Sequence, residues 1–198
     1  VSFPAVGAKV VFSQQWTPPL ADAVSLAQKI KTAGPSIVYT GATPNQFAVP
    51  AVHYCSEKLH ATRYFLTGTD GVRAHVTNAI LQETVKQLGG EVVGEHYDRL
   101  GEFQFGAIVK QIEKARPQII LNMYVGDSSV AFLKALVESE VSTAQIPVVS
   151  FLFGESELGQ LGKLSLRGHY IAHTRFPSSR TTPQTTTLAQ RFAKHYGA

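Results

Sequence analysis

One stretch, residues 117–136, constrains the fold more than any other part of the sequence. It begins with a continuous apolar run over residues 119–124, which is typical of a strand buried on both faces of a parallel sheet. A small polar turn at residues 126–129 follows, and the apolar residues after it repeat at helical spacing. The stretch therefore predicts a strand, a turn and a helix, with Asp127 or Ser128 as the helix N-cap.

The same alternation of strand and helix runs along the whole chain. Apolar runs predict strands at residues 9–13, 36–40, 63–67, 91–97, 119–124, 146–151 and 168–176. Amphipathic spacing predicts helices at residues 20–32, 44–59, 74–88, 105–115 and 187–196, with further helices after the turns at 126–129 and 154–155. Connections of this length join parallel strands by right-handed crossovers. The expected fold class is therefore α/β, a doubly wound, mostly parallel sheet of the flavodoxin-like kind.

Local signals fix some of these boundaries. Thr43, Pro44 and Gln46 have the spacing of an N-cap, a first helical residue and a capping-box partner. We expect Pro50 to kink or restart that helix, because proline has no N–H to donate within a helix interior. The pair at residues 89–90, Gly-Gly, predicts a C-cap.

Size and composition admit one large domain or two small lobes. The chain has 198 residues, of which 44% are hydrophobic and 16% charged, so it can form a real core. The single cysteine, Cys55, cannot form an internal disulfide, and its apolar context predicts a buried, inert thiol. No apolar stretch reaches the length of a membrane span, and no basic-then-apolar leader begins at Val1, so we expect no membrane insertion and a targeting signal that is absent or removed.

The net charge of +4 does not point to nucleic acid. No acidic residue follows Glu157, but the basic residues beyond it are well spaced, and no nucleic-acid motif accompanies them. We interpret them as a solvated face.

Catalytic and metal motifs are not found. The sequence has no dinucleotide-binding glycine pattern, no phosphate-binding loop and no G-x-S-x-G. His169 and His173 share one face of a strand, but two histidines without a third ligand are a weak metal site. Two roles are open for the carboxylates of Asp70, Asp127 and Glu155. They form a cluster for general acid–base catalysis, or each caps a helix or accepts a hydrogen bond from a ligand; no nucleophile or electrophile accompanies them. We expect neither an enzyme nor a cofactor.

Four predicted strand ends carry the same kind of turn. Residues 40–43, 68–71, 126–129 and 154–155 each combine glycine with a small polar group. Because the carboxyl ends of parallel strands meet at one rim, four such turns together predict a ligand cleft. Taken singly, each turn also satisfies the requirements of a helix start.

Several segments in one order carry a family resemblance. They are residues 37–46, 64–70, 88–95, 120–122, 126–128, 130–132, 147–151, 155–158, 168–170 and 182–183. Read together, they resemble the type I periplasmic binding proteins, specifically the urea and short-chain-amide binding group within the branched-chain amino-acid binding class. The resemblance covers about residues 36–198.

The resemblance implies a lobe of a two-lobed solute-binding protein. Residues 44–176 look like the complete ligand-binding lobe, and residues 1–43 and 177–198 look like a partial second lobe or flanking elements. The implied hinge lies near residues 41–44 and 176–183. It also implies a periplasmic or extracellular location, uptake or sensing of a small polar molecule, and an ABC transporter permease or a sensor as partner.

One turn departs from the amide-binding pattern. Where those proteins have tyrosines after Gly-Ser-Asp, this chain has Gly71 and Arg73. The planar guanidinium of Arg73 suits bidentate contact with a carboxylate instead.

The first hypothesis is therefore a non-enzymatic binder of a small polar solute of the urea, amide or amino-acid type. Backbone N–H groups at helix starts would hold a carboxylate or carbonyl. Asp127 or Glu155 would accept from an amine or amide, and Tyr124 would wall the pocket. The candidate ligand-binding residues are Thr40, Gly68, Asp70, Gly71, Arg73, Tyr124, Gly126, Asp127, Ser128 and Glu155. The alternative is a self-associating, one-lobe structural or interaction module, a homodimer formed through the surface where the other lobe would sit.

Overall fold

The computed structural model describes residues 28–29, 31–34, 43–139, 141, 146–161, 168–173 and 182–197. The chain divides into two compact units, Val1–Gly41 and Ala42–Ala198. In the first unit, the described residues 28–29 and 31–33 are helical, as the sequence predicts. The two strands predicted in that unit lie outside the described residues, as does most of the predicted hinge.

Among the described residues of the second unit, five strands form one sheet. They are β1 (Arg63–Thr69), β2 (Glu91–Asp98), β3 (Ile119–Met123), β4 (Val148–Ser150) and β5 (His169–Ile171). Every residue of β3 and β4 is buried, as expected for strands covered on both faces. The last strand is shorter than the predicted 168–176, since only three of its residues pair with β4.

The strand order is β2-β1-β3-β4-β5, and every pairing is parallel. This confirms the doubly wound α/β fold. The register of β1 against β2 shifts by one residue where Phe65 pairs with Gly94. A side chain at Gly94 would collide with the ring of Phe65, so glycine is required at this irregularity.

The described helices of this unit are α1 (Pro44–Leu59), α2 (Val72–Gln87), α3 (Gly106–Ala115), α4 (Gly126–Glu138), α5 (Glu155–Leu161) and α6 (Pro183–Tyr196). Thr43 caps α1, and its N–H donates to Oε1 of Gln46 at 3.2 Å, as the capping box predicts. Gly89 has φ +76° after α2, which confirms the predicted C-cap.

One expectation about helices is wrong, and another is tested only in part. The helix α1 does not restart at Pro50 but runs through it as one helix, and the alternative of a kink there stays a prediction. The N-cap of α4 is Val125 rather than Asp127 or Ser128, and the helix begins at Gly126, whose φ is +54°.

The sheet is covered by helices on both faces. On one face, α1 and α2 pack against the side chains of Tyr64 and Leu66. On the other, α3 and α4 pack against Phe65 and Ile120, as the alternation of strand side chains requires. Cys55 is buried in the first of these layers, and burial raises the pKa of its thiol to about 11, as expected of an inert cysteine.

Candidate functional site

The site predicted from the sequence lies where the sheet changes winding direction. From β1 the chain crosses through α2 to β2 on one side, and from β2 it crosses through α3 to β3 on the other side of β1. The two helices cover opposite faces of the sheet. The carboxyl ends of β1 and β3 therefore flank a topological switch point, which is where open α/β sheets bind ligands.

Hydrogen bonds join the turns at this rim. The N–H of Val125, after β3, donates to Oγ1 of Thr69, at the end of β1, over 3.3 Å. The N–H of Asp70 donates to the carbonyl oxygen of Asp98, at the end of β2, over 2.6 Å. The ends of β1, β2 and β3 are thus held as one surface.

Gly68 allows the rim to close this tightly. A Cβ atom there would lie 2.9 Å from Cβ of Ala74 and 3.1 Å from Cβ of Met123. Neither neighbour can rotate away, because both contacts are to Cβ atoms. The predicted close backbone approach at this turn is therefore present, and it lets the start of α2 pack against β1 and β3.

A chain of polar groups runs beneath the rim. Nε2 of His96 lies 3.1 Å from Oδ1 of Asp98, and the hydroxyl of Tyr124 donates to Oδ2 of the same carboxylate. Tyr124 is 1% exposed, and its ring packs at 5.0 Å, centroid to centroid, on both Phe105 and Phe132. Burial, and then the bond to Asp98, raises the pKa of Tyr124 well above its usual range.

The exposed part of the rim begins with the turn after β1. The carboxylate of Asp70 lies 2.7 Å from Nε2 of His75, whose ring stacks on Tyr97 with the centroids 3.8 Å apart. Gly71 and Arg73 are exposed beside it. This side of the rim offers a carboxylate, an imidazole and a guanidinium to solvent.

The start of α4 forms the other side of the rim. Asp127 is exposed in the first turn of the helix, where N–H groups have no partner within the helix. Ser128 is buried, and its Oγ accepts from the N–H of Gly101 at 3.2 Å, which ties the loop after β2 to this helix.

Asn122 is a supporting residue that sequence reasoning missed. Its Nδ2 donates to Oγ of Ser129 at 3.1 Å and to Oγ of Ser150 at 2.9 Å, and its Oδ1 accepts from the N–H of Tyr124 at 2.9 Å. It is fully buried. The signal that could have found it is a single amide inside the apolar run of β3, because a buried amide must be hydrogen-bonded.

His75, His96 and Asp98 were also missed. The end of β2 has no glycine turn, so it did not match the other strand ends. The available signal was positional: in a parallel sheet the carboxyl end of β2 shares the rim with that of β1. His96 and Asp98 are two residues apart and therefore face the same side of the strand.

Two predicted site residues, Glu155 and Thr40, remain. Glu155 is exposed at the first position of α5, after the neighbouring strand β4. Thr40 lies outside the described residues. The structure therefore brings together the predicted residues of β1, β3, α2 and α4, which are Gly68, Asp70, Gly71, Arg73, Tyr124, Gly126, Asp127 and Ser128.

Neither a metal cluster nor a membrane span is found in the part of the chain that the structure describes. There, no group of three or more histidine, cysteine, aspartate or glutamate side chains is arranged to hold a metal ion. His169 packs on Phe153 at 5.7 Å, and its ring nitrogens have no partner among the described residues. None of the described helices combines the length and apolar character that a membrane crossing needs.

Known proteins share both sequence pattern and fold with this chain. Residues 32–198 match the model of a family described as periplasmic binding protein domain. Among solved structures, the solute binding protein of an ABC transporter from Rhodopseudomonas palustris HaA2, in complex with p-hydroxybenzoic acid, superposes with a TM-score of 0.71 at 22% identity, over 86% of this chain and 46% of that one.

Two further structures show the same likeness. An ABC transporter substrate-binding protein from Sphaerobacter thermophilus gives a TM-score of 0.69 at 21% identity, over 88% of this chain and 53% of that one. An amino acid ABC transporter substrate-binding protein from Pseudomonas fluorescens Pf-5 gives 0.66 at 20% identity, over 78% and 40%. At these identities the likeness establishes the fold, and the chain spans about half the length of these proteins or less.

Proposed function

We propose that this chain, which belongs to the periplasmic binding protein domain family, binds a small polar solute at the rim formed by the carboxyl ends of β1 and β3 and releases it unchanged. The observation that carries the proposal is the joining of two turns at the switch point. The bond between Val125 N–H and Thr69 Oγ1 holds the turns together, and Asp70 and Asp127 stand exposed on its two sides.

The exposed groups suit a solute that carries both a donor and an acceptor. The free N–H groups at the start of α4 would hold a carboxylate or carbonyl oxygen, since the helix dipole also favours negative charge there. Asp127 would accept from an amine or amide, and Arg73 would pair with a carboxylate. Gly71 and Gly126 have no side chains, so the solute can approach the backbone. A urea, amide or amino-acid type of solute meets these requirements.

Two further predicted residues take adjusted roles in this proposal. Tyr124 would support the site through Asp98 rather than wall it, because almost none of its surface is exposed. Glu155 would extend the site toward β4 and accept from the far end of a longer solute. The proposed lobe comprises residues 44–176, with Thr40 and the hinge residues at its border.

Binding without conversion is proposed from the family, and the polar chain beneath the rim is consistent with it. That chain ends on the phenol of Tyr124, whose raised pKa makes it a poor base or nucleophile at neutral pH. The hydrogen bond from the Tyr124 hydroxyl holds Asp98 in place. The backbone carbonyl oxygen of Asp98 in turn accepts from the N–H of Asp70. A rigid, preorganised rim lowers the entropic cost of ordering these groups when a solute binds.

The cellular role is proposed from the family. Similar structures are named as ABC transporter substrate-binding proteins, one for amino acids and one holding p-hydroxybenzoic acid. We assign this chain a periplasmic place in uptake or sensing, with an ABC transporter permease or a sensor as the recipient of the bound form.

A thermal-shift screen tests the proposal. The purified chain is heated with urea, short amides, branched-chain and acidic amino acids, and p-hydroxybenzoic acid. A solute that binds the folded state stabilises it by RT ln(1 + [L]/Kd), roughly a few degrees at saturation for a chain of this size. We expect an amide or an amino acid to give a saturable shift. A shift with p-hydroxybenzoic acid alone would contradict the solute class, and no shift with any compound would contradict binding.

A further inference from the structure

The outward face of α2 carries an apolar stripe that the proposed solute site does not use. Val72 is 82% exposed, Val76 45% and Ile80 38%, and the three residues are spaced four apart. Residues spaced in this way lie on one side of a helix. The opposite side of α2, with Leu81 and Val85, is buried against the sheet, so the stripe lies on the exposed side of the helix.

The charges on this helix are self-complementary about the centre of the stripe. Arg73 is exposed near the beginning of the helix and Glu83 near its end. Position 78 is the sequence midpoint of this pair and also of the pair Val76 and Ile80. If a second copy of α2 packs antiparallel about a two-fold axis at this midpoint, Val76 meets the second copy's Ile80. Arg73 then meets the second copy's Glu83, and the same two contacts form again by symmetry.

The shape of the surface fits the same arrangement. Ala79 is exposed beside the midpoint, and its small side chain lets two helix backbones approach. A hollow of about 430 Å³ lies along the later half of α2, lined by Ala79, Gln82, Glu83 and Lys86 and by residues 90–92 at the start of the edge strand. The two-fold axis brings Val72 of the second copy, the most exposed of the three apolar residues, to the level of this hollow.

We propose that two copies of this chain associate through the outward face of α2, as an antiparallel helix pair about a two-fold axis. This surface is the exposed side of one helix, whereas the self-association considered from the sequence uses the surface where the other lobe would sit. A single helix pair buries less than the roughly 800 Å² per partner of a standard interface, so the association is concentration-dependent. It is also salt-dependent, because its two ion pairs are exposed to solvent.

The association of two copies is a separate property from solute binding and does not require a bound solute. Arg73 nevertheless belongs to both surfaces, since it follows Gly71 at the rim. In the paired state its guanidinium is engaged by Glu83 of the second copy.

Sedimentation velocity over about 10 µM to 1 mM tests the proposal on the unmodified chain. We expect the average mass to rise from 21.5 kDa toward twice that value, and the rise to weaken with added salt. A mass that stays at 21.5 kDa throughout the range would overturn the proposal, whatever the solute screen shows.

Charge-reversal variants identify the interface. Arg73→Glu and Glu83→Arg each turn two attractions into repulsions, so each alone is expected to weaken association roughly tenfold. The double variant restores opposite charges and is expected to return association to within roughly twofold of the unmodified chain. Lys110→Glu, on the outside of α3, is the control and leaves association unchanged. A dimer that is insensitive to both single reversals, or that the double variant fails to restore, would overturn the proposed interface.

Discussion

The hydroxyl of Tyr124, at the end of β3, donates a hydrogen bond to the carboxylate of Asp98, at the end of β2, so a side chain buried in the core fixes a carboxylate at the rim. The two residues belong to strands that are not neighbours, since β1 lies between them. The bond therefore spans the switch point and stabilises the geometry on which the proposed site depends.

Removing that hydroxyl tests its contribution to stability. Tyr124→Phe keeps the ring packed on Phe105 and Phe132 and loses only the bond to Asp98, so we expect unfolding to become easier by about 1–2 kcal/mol. Urea denaturation measures the change. Tyr54→Phe is the control, because its ring is 47% exposed, and it should change stability by less than about 0.5 kcal/mol. Equal effects of the two substitutions would contradict a structural role for the bond.

Replacing either of two glycines in one turn by alanine should change the stability of the fold by different amounts. A Cβ at Gly68 would press on two fixed Cβ atoms, those of Ala74 and Met123, so Gly68→Ala is expected to lower stability by about 1–3 kcal/mol. At Gly71 the nearest atom to an added Cβ is the carbonyl oxygen of Thr69, at 3.9 Å, and we expect Gly71→Ala to be nearly neutral. Thermal unfolding of both variants checks this. A neutral Gly68→Ala would show that β1 and α2 are less closely packed than the structure indicates.

The buried amide of Asn122 should be costly to replace. Asn122→Leu keeps most of the volume but leaves the N–H of Tyr124 and the hydroxyls of Ser129 and Ser150 without their partner. We expect a loss of about 2–4 kcal/mol in denaturant unfolding. Gln111→Leu, an exposed amide on α3, serves as the matched control and should cost little. If the two variants were equally stable, the proposed support of the rim by Asn122 would be refuted.

His169 should make stability depend on pH. Burial lowers its pKa from 6.5 to about 4 in the folded chain. As the pH falls below about 6.5, His169 binds a proton in the unfolded chain but not in the folded chain. The stability present above pH 6.5 is therefore lost progressively down to pH 4. The loss from this residue is on the order of 2–3 kcal/mol.

The variant His169→Leu isolates this effect. The stability of the unmodified chain should fall more steeply between pH 6.5 and 4 than that of the variant. His53→Gln, which changes a histidine that is 47% exposed, should keep the full slope. Parallel slopes for the unmodified chain and His169→Leu would show that His169 is not held neutral by burial.

Sequence periodicity was enough to predict the sheet and most helices of the second unit. Short, mostly apolar runs identified β1 and β3, because strands covered on both faces have few polar positions. Periodicity could not predict that α4 begins at Gly126, one residue before Asp127, because apolar spacing does not mark the first residue of a helix. It also could not show that α1 continues through Pro50, because proline is expected to interrupt a helix interior.

The candidate site was predicted at its two main turns and missed at its third. Glycine turns mark the ends of β1 and β3, whereas β2 ends in His96, Tyr97 and Asp98 without a glycine. Strand order places these residues at the rim, and strand order follows from packing between distant segments rather than from local pattern. The apolar run predicted the burial of Tyr124 but not its contacts with Phe105 and Phe132, because these depend on how the segments around α3 and α4 pack on the sheet.

An NMR titration tests the central claim most directly. Backbone amide shifts of the isotope-labelled chain are followed while the amides and amino acids of the solute screen are added. The account predicts that one solute moves the signals of Gly71, Gly126 and Asp127 with a common saturation curve, while those of Gly89 and Gly90, at the opposite end of the sheet, stay in place. Unmoved rim signals with every solute, or larger shifts at Gly89 and Gly90 than at the rim, would contradict it.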